Sequence, residues 1–415
     1  MTTAIRAGSL IDGSGRDPIR NATIIVEENR IARIETNGAI PRDAEVIDAA
    51  GMTIMPGMID CHVHLMFELE SVQQQLLTPF SLTIAKGLEH ARRTLDGGFT
   101  AARDAGGTPR GVKLAIDQGL VPGPRLRLSI NIMSQSGGHG DSMMPNGAVV
   151  PFFMDSAETP HAVADGVEEV RRVVRSLLRA GADVIKLCST GGVLSPADEP
   201  DASQFSPEEI ATIVYEARAA GKPAMAHAQG TQGIKNAVLA GVASIEHGIY
   251  LTEEVCAEMK RRGSYLVPTL IAPLWVLRRA ESAPSSVPPY GVRKSKEVME
   301  AHKASFRMAA ELGVPIAMGT DMAVGPHGLN AEELERMCDG GLTPMQAIVA
   351  TTKTAAECAR FADLGTLEPG KFADLLVVDG DPLADIRLLQ NKDKLALIMK
   401  DGKAHKNLLT GRVPA

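Results

Sequence analysis

The residues best suited to chemistry are four histidines, one lysine and one aspartate, each near the end of a short apolar run. His62-Val63-His64 comes first. Residues two apart in a strand point to the same face, so both imidazoles would enter one site together. Alone, the pattern suits a surface pair as well as a metal site. Lys186 lies inside Ala182-Asp183-Val184-Ile185-Lys186-Leu187-Cys188, where an unpaired ammonium is costly. Two readings are open for it. It could pair with a carboxylate or reach solvent at a strand end. Alternatively, desolvation lowers its pKa, the neutral amine takes up carbon dioxide, and the carbamate ligates metal. His227 in Ala226-His227-Ala228-Gln229, His247 in Ile245-Glu246-His247-Gly248, and Asp321 in Gly319-Thr320-Asp321 close three further runs. Each alone could be a satisfied polar core residue. Together they form what a hydrolytic metal site needs, His and carboxylate ligands around an open position.

These residues need elements to gather them. Before Pro56 the sequence reads as short strands and tight turns, with a hairpin signal around Glu28-Asn29-Arg30 and no helix. From Gly57 short apolar strands alternate with stretches of helical period. Strands are expected at 58–65, 100–104, 125–133, 183–189, 223–228, 244–247, 265–270 and 315–320. Ala162 to Ala180 carries a stripe at a period near 3.6, and Ser206-Pro207-Glu208-Glu209 opens another helix. Eight strands interleaved with helices predict an α/β fold, a (β/α)₈ TIM barrel over residues 57–364. Strand character returns near the C-terminus, in 373–378 and in 395–400 before Asp401-Gly402. Residues 1–56 and 365–415 are each too small to hold a core, so they are expected to form one small β-sandwich domain. Two segments, 134–160 and 272–292, read as long loops that follow barrel strands and act as lids.

In this setting all six residues fall at the C-terminal ends of barrel strands, where active sites of this fold lie. The chain resembles the amidohydrolase superfamily. The resemblance is carried by Pro56-Gly57-Met58-Ile59-Asp60-Cys61-His62-Val63-His64, by Lys186, His227 and His247, by Gly319-Thr320-Asp321, and by Pro369-Gly370-Lys371-Phe372-Ala373-Asp374-Leu375. It implies a metal-bearing barrel with a β-sandwich made from both termini. It further implies His62, His64 and Asp321 on the more buried of two divalent ions, His227 and His247 on the other, and N-carboxylated Lys186 bridging them together with hydroxide. Within the superfamily the chain is similar to the prolidase-like, imidazolonepropionase-related group of dipeptidases and carboxypeptidases. The segments Ser136-Gly137-Gly138-His139-Gly140-Asp141, Lys186 to Gly192 and Gln204-Phe205-Ser206 carry that likeness. Some peptidases of the group have Tyr two residues after the strand-five histidine, where this chain has Gln229. Homo-oligomers are implied by the resemblance alone.

The chemistry expected is metal-dependent hydrolysis of carbon–nitrogen bonds. Asp321 would take the proton of the attacking water and pass it to the leaving amine. His139, in a Gly-rich loop, is a candidate for stabilising the oxyanion or holding a substrate carboxylate, or is a loop residue with a structural hydrogen bond. Gln229, Tyr250 and His327 are further substrate candidates. His90, His161, His302 and His405 lack strand-end context and read as surface or helix residues. Zinc is the first choice for a mixed His, carboxylate and carbamate set, although manganese, cobalt or iron fit the same ligands. The reaction would be cleavage of dipeptides, Xaa-Pro included, or of other C-terminal residues. The alternatives are a non-peptide amide, carbamate, urea or lactam as substrate, or a barrel that only binds ligands.

Composition narrows the classes. With 43 basic and 50 acidic residues among 415, the net charge is −7, so the expected partner is a small molecule and not nucleic acid, which needs clustered Lys and Arg. Hydrophobic residues at 44% support a large core, and aromatics at 3% leave few base-stacking surfaces. No apolar run approaches the roughly 18 residues of a membrane span, and no leader peptide is evident. The five cysteines lie far apart, which fits a reducing, cytoplasmic setting with Cys61 and Cys188 as small core residues.

Overall fold

The computed structural model describes residues 2–36, 40–144, 146–149 and 154–409 of the chain. Part of the expected 134–160 lid, residues 145 and 150–153, lies outside the described residues.

Strands from both ends of the chain make one seven-stranded sheet. The N-terminal strands are β1 (Thr2–Leu10), β2 (Ile19–Glu27), β3 (Arg30–Thr36) and β4 (Glu45–Pro56). Seven short barrel strands follow in the order β5 (Met58–Val63), β6 (Phe99–Asp104), β7 (Arg125–Leu128) with its continuation β8 (Ile132–Met133), β9 (Ile185–Cys188), β10 (Ala224–Ala228), β11 (Ser244–His247) and β12 (Tyr265–Val267). The chain then returns to the first sheet with β13 (Leu375–Val378), β14 (Leu395–Lys400) and β15 (Lys403–Asn407). The first sheet has the order β15-β14-β13-β4-β1-β2-β3. It folds back on itself, because Ile31 N–H donates to Lys371 O and Ala373 N–H to Asn29 O, each at 2.9 Å. Ile5, Ile24, Ile54, Leu375, Val377 and Leu397 fill the space enclosed. That is the β-sandwich expected from two stretches that cannot hold a core singly.

The barrel closes through backbone bonds that run beyond the regular strands. β5-β6-β7 and β8 to β12 form two parallel sheets. They meet where Asp183 N–H donates to Leu128 O at 2.7 Å. Residues 315–322 supply the eighth wall. Leu266 N–H donates to Pro315 O and Cys61 N–H to Met318 O, both at 2.9 Å, and Asp321 N–H to His62 O at 2.7 Å. The expected strand 125–133 is broken in two because Ile130 sits at φ 72°, a strained conformation for a β-branched residue.

Outer helices follow from amphipathic periodicity. Helix Gly166–Ala180 buries Val170, Val173, Val174 and Leu177 against the barrel, each worth about 1.5–3 kcal/mol. Glu168 and Glu169 lie in its first turn, Arg179 in its last, and Gly181 at φ 102° stops it. It starts four residues later than the stripe suggested, because Ala164 N–H is committed to Ser134 O at 2.9 Å. The expected loop 272–292 is a correction. Helix Ile271–Ser282 and helix Pro289–Glu311 occupy it almost wholly, joined by a short 3-10 turn at Pro284–Ser286. Pro273, Pro288 and Pro289 sit in first turns, where a missing N–H costs nothing. Buried Glu333 accepts Leu270 N–H at 2.8 Å and Ile271 N–H at 2.9 Å at the start of the first of these helices. Among the described residues no helix is long and apolar enough to cross a membrane.

Candidate active site

The mouth of the barrel gathers the strand-end residues. His62, His64, Lys186, His227, His247 and Asp321 all line one cavity. One ligand atom each from His62, His247 and Asp321 lie within 4.8 Å of one another. Asp321 Oδ1 is 3.4 Å from Nε2 of both His62 and His64. The His227 and His247 rings are 4.7 Å apart. Lys186 Nζ is buried, and its one hydrogen-bonding partner among the described residues is His62 Nε2 at 3.4 Å. Two nitrogens that both prefer to bind an electrophile thus face each other.

Each imidazole is aimed by its other nitrogen. His62 Nδ1 donates to Glu246 Oε2 at 2.8 Å, and Glu246 also accepts from Arg103 Nη2 at 2.9 Å. His64 Nδ1 bonds Gly106 O at 3.1 Å, His227 Nε2 bonds Gly191 O at 3.0 Å, and His247 Nδ1 bonds Thr269 Oγ1 at 2.7 Å. Such partners fix the tautomer and turn the remaining nitrogen inward. The donor set therefore fits divalent metal, with imidazoles pre-aimed and one carboxylate among them. His247, Thr269 and Asp321 hold φ of 73°, 53° and 60°. Strained backbone concentrates at sites where side-chain aim matters. Gly319 is required beside them, since a Cβ there would meet Val267 Cγ1 at 2.3 Å and His62 Cβ at 3.0 Å.

Burial shapes the electrostatics. It lowers the His62, His227 and His247 imidazoles well below their ordinary value, which keeps them neutral and able to bind metal. It lowers the Lys186 amine as well. Burial works to raise the Asp321 carboxyl, but His62, His64 and Lys186 outweigh it and hold the group below the usual range. Cys188 lines the cavity on the Lys186 face, and burial pushes its thiol up to about 12, so it is not a thiolate. Cys61 faces the opposite side and packs among Ala355 and Cys358.

The other expected residues divide. His139 and Gln229 line the cavity. His139 stacks on His227 with ring centroids 4.1 Å apart, and burial lowers it to about 4 against the pull of Asp198. Gln229 Oε1 is buried without a hydrogen-bond partner. Tyr250 and His327 are not among the lining residues, which corrects their assignment as substrate contacts. Tyr250 lies one residue beyond the wall residue Ile249, and its carbonyl accepts from Thr231 Oγ1 at 2.6 Å. His327 is buried and stacked on His90 at 4.4 Å, next to the first barrel loop. His90 and His302 do lie on helices but are buried and not on the surface. His302 lines the cavity, and its Nε2 donates to Pro268 O at 2.7 Å.

Several positioning residues escaped the sequence reading. Arg103 and Glu246 are buried ions in apolar strands, the same signal that singled out Lys186. Asp60, two residues before His62, accepts His62 N–H, Thr320 N–H and Oγ1, and Asn330 Nδ2, and so clamps the first strand to the eighth. Burial still lifts its carboxyl to about 6. Lys294, in Lys294-Ser295 on helix Pro289–Glu311, was hidden by the expectation of a loop nearby.

The family model described as "Amidohydrolase family" matches residues 53–405. The chain belongs to the amidohydrolase family. Among its relatives is an ochratoxinase of Aspergillus niger, 34% identical over 97% of this chain and 86% of the relative. An imidazolonepropionase of Methylobacterium nodulans is 26% identical over 89% of this chain and 90% of the relative. A solved Xaa-Pro dipeptidase with methionine in its active site has a TM-score of 0.89 and 34% identity, and the match covers 98% of this chain and all of that one. This amidohydrolase is thus a hydrolase acting on carbon–nitrogen bonds, with a TIM barrel and a β-sandwich, in a family that generally uses divalent metals.

Proposed function

We propose that this amidohydrolase cleaves the amide joining an acyl group to a C-terminal amino acid, as a dipeptidase or carboxypeptidase does, at a two-ion centre. The observation that carries the reading is the convergence of four pre-aimed imidazoles, Asp321 and partnerless Lys186 at the barrel mouth. His62, His64 and Asp321 would hold one divalent ion, zinc in the first instance, and His227 and His247 the other. Lys186 would bridge them as a carbamate. Its neutral Nζ attacks carbon dioxide, an N–C bond forms, and a proton leaves to solvent. The product is an anion, which relieves the unpaired nitrogen beside His62. When bound, the ions supply Lewis acidity and an acidified water. Asp321 takes the proton of the attacking water and hands it to the leaving nitrogen as the C–N bond breaks. The similarity to a Xaa-Pro dipeptidase supports a peptide-like substrate.

A second reading rests on the cavity wall. Ile132, Val193, Leu194, Ile249, Val276 and Val324 line it, and Lys186 is the single Lys or Arg among the lining residues. A site so poor in cations also suits a neutral amide, carbamate, urea or lactam. The test is amine release by zinc-loaded protein from L-Xaa-L-Xaa dipeptides, including L-Xaa-L-Pro, and from N-acyl amino acids. Cleavage that varies with the C-terminal residue and is lost in Lys186→Ala supports the first reading. Silence on this panel, with turnover of a carbamate or lactam, moves the assignment to the second.

A further inference from the structure

A chain of buried polar groups outside the candidate ligands ends on His139. Asp198 is surrounded by donors. Gln204 Nε2 donates to its Oδ2 at 2.7 Å, Gly192 N–H to its Oδ1 at 3.2 Å, and Lys294 Nζ lies 3.7 Å from Oδ1. Lys294 also donates to Gly192 O at 3.0 Å, Ser195 O at 2.8 Å and Asp198 O, so it ties the whole 192–198 loop to helix Pro289–Glu311. Ser195 Oγ donates to Asp198 Oδ1. A carboxylate only accepts, and a hydroxyl has one proton. That proton is therefore committed to Asp198. The contact of 2.8 Å between Ser195 Oγ and His139 Nδ1 must then be donated by the imidazole.

The ring has little freedom to do otherwise. It is stacked between His227 and the backbone at Gly192, where a Cβ would meet His139 Cε1 at 2.3 Å. Its own backbone N–H is held by Gln204 Oε1 at 2.9 Å. With Nδ1 protonated, the Nε2 of the neutral ring is a lone pair. An acceptor cannot pair with a substrate carbonyl oxygen or carboxylate, which are acceptors too. The donor next to a reacting amide carbonyl is the N–H on the scissile nitrogen.

We propose that Asp198 and Ser195 are positioning residues that present His139 Nε2 to the cavity as a hydrogen-bond acceptor, and that the site thereby selects amides bearing N–H on the scissile nitrogen over tertiary amides such as Xaa-Pro. The inference rests on the amide-hydrolase reading and corrects the expectation that His139 stabilises an oxyanion. The tautomer is read directly from ¹⁵N shifts of the His139 ring in zinc-loaded protein, independently of turnover. Protonated Nδ1 with a bare Nε2 is expected, and protonated Nε2 overturns the proposal. The selection is read from kcat and KM on N-acetyl-L-phenylalanine and its N-methylated amide. The N–H substrate should be favoured about ten- to a hundred-fold, the value of one well-placed hydrogen bond to a substrate group in a dry site. Ser195→Ala should reduce that preference to below about three-fold, mainly by lowering kcat/KM for the N–H substrate, and Ser195→Thr should restore it. Sterics alone would leave the preference intact in Ser195→Ala, which would overturn the proposal, as would equal rates on the two substrates in the wild type. If neither substrate nor any dipeptide is cleaved, the hydrolase reading fails, and selection by the scissile N–H fails with it.

Discussion

Replacing Glu246 by Gln should damage stability and metal binding together. Glu246 is fully buried, and its carboxylate answers two donors from opposite sides, Arg103 Nη2 at 2.9 Å and His62 Nδ1 at 2.8 Å, with Ser244 Oγ as a third. Gln offers one oxygen and one NH₂. The oxygen satisfies either Arg103 or His62, and the NH₂ then faces the other donor. The guanidinium keeps Cys61 O at 2.7 Å and Ser244 Oγ at 3.1 Å but loses its counter-charge in a dry interior. One-sided removal of a buried ion pair costs about 3–5 kcal/mol. Loss of the partner that orients a metal-binding imidazole lowers affinity about 10- to 100-fold. Thermal unfolding at saturating zinc and competition with a chromogenic chelator read the two effects. The double variant Arg103→Met, Glu246→Leu separates them. It removes both charges, so stability should recover most of the loss, while His62 still lacks its partner and zinc affinity stays low. A Glu246→Gln protein with wild-type stability and zinc affinity would refute the reasoning, and so would recovery of affinity in the double variant.

Three further outcomes are expected. Gly319→Ala should drive a methyl into Val267 and His62, costing about 1–3 kcal/mol of overpacking and reducing zinc content and turnover together; metal analysis and circular dichroism would show normal values if the close approach is tolerated. Burial lifts the Glu333 carboxyl to about 8 from an ordinary value of 4.5, so the folded state holds a proton that the unfolded state releases. Stability from this group is then fully present below about pH 4.5 and is lost as pH rises toward 8, and Glu333→Gln should flatten that slope in urea titrations run across the window. Lys294→Met should release the 192–198 loop from its three carbonyl contacts and raise KM while zinc content stays at the wild-type value; an unchanged KM would show that the loop holds without it.

The sequence showed the site more clearly than its supports, for a physical reason. Ligands at barrel strand ends are bracketed by apolar runs and recur once per strand, so His62, Lys186, His227, His247 and Asp321 stand out from their neighbours. Their supports are matched across the fold, not along the chain. Arg103 meets Glu246 over 143 positions and Asp60 meets Asn330 over 270. Neither partner is informative until the barrel is closed, although a buried ion in an apolar strand was a usable warning. The segment 272–292 misled because prolines read as loop signals, whereas here they occupy helix first turns. Tyr250 and His327 were chosen by nearness in sequence to a ligand or a loop, and one residue past a strand end is enough to leave the cavity. His302 carries no strand-end context, so only the packing of helix Pro289–Glu311 over the mouth reveals it.

The central claim is a two-ion centre bridged by Lys186, and metal stoichiometry tests it most directly. Protein loaded with zinc in bicarbonate buffer and freed of excess metal should hold two ions per chain. Lys186→Ala prepared identically should hold one or fewer, with its fold intact by circular dichroism. One ion per chain in both proteins would contradict the account and leave Lys186 as a buried amine with another purpose.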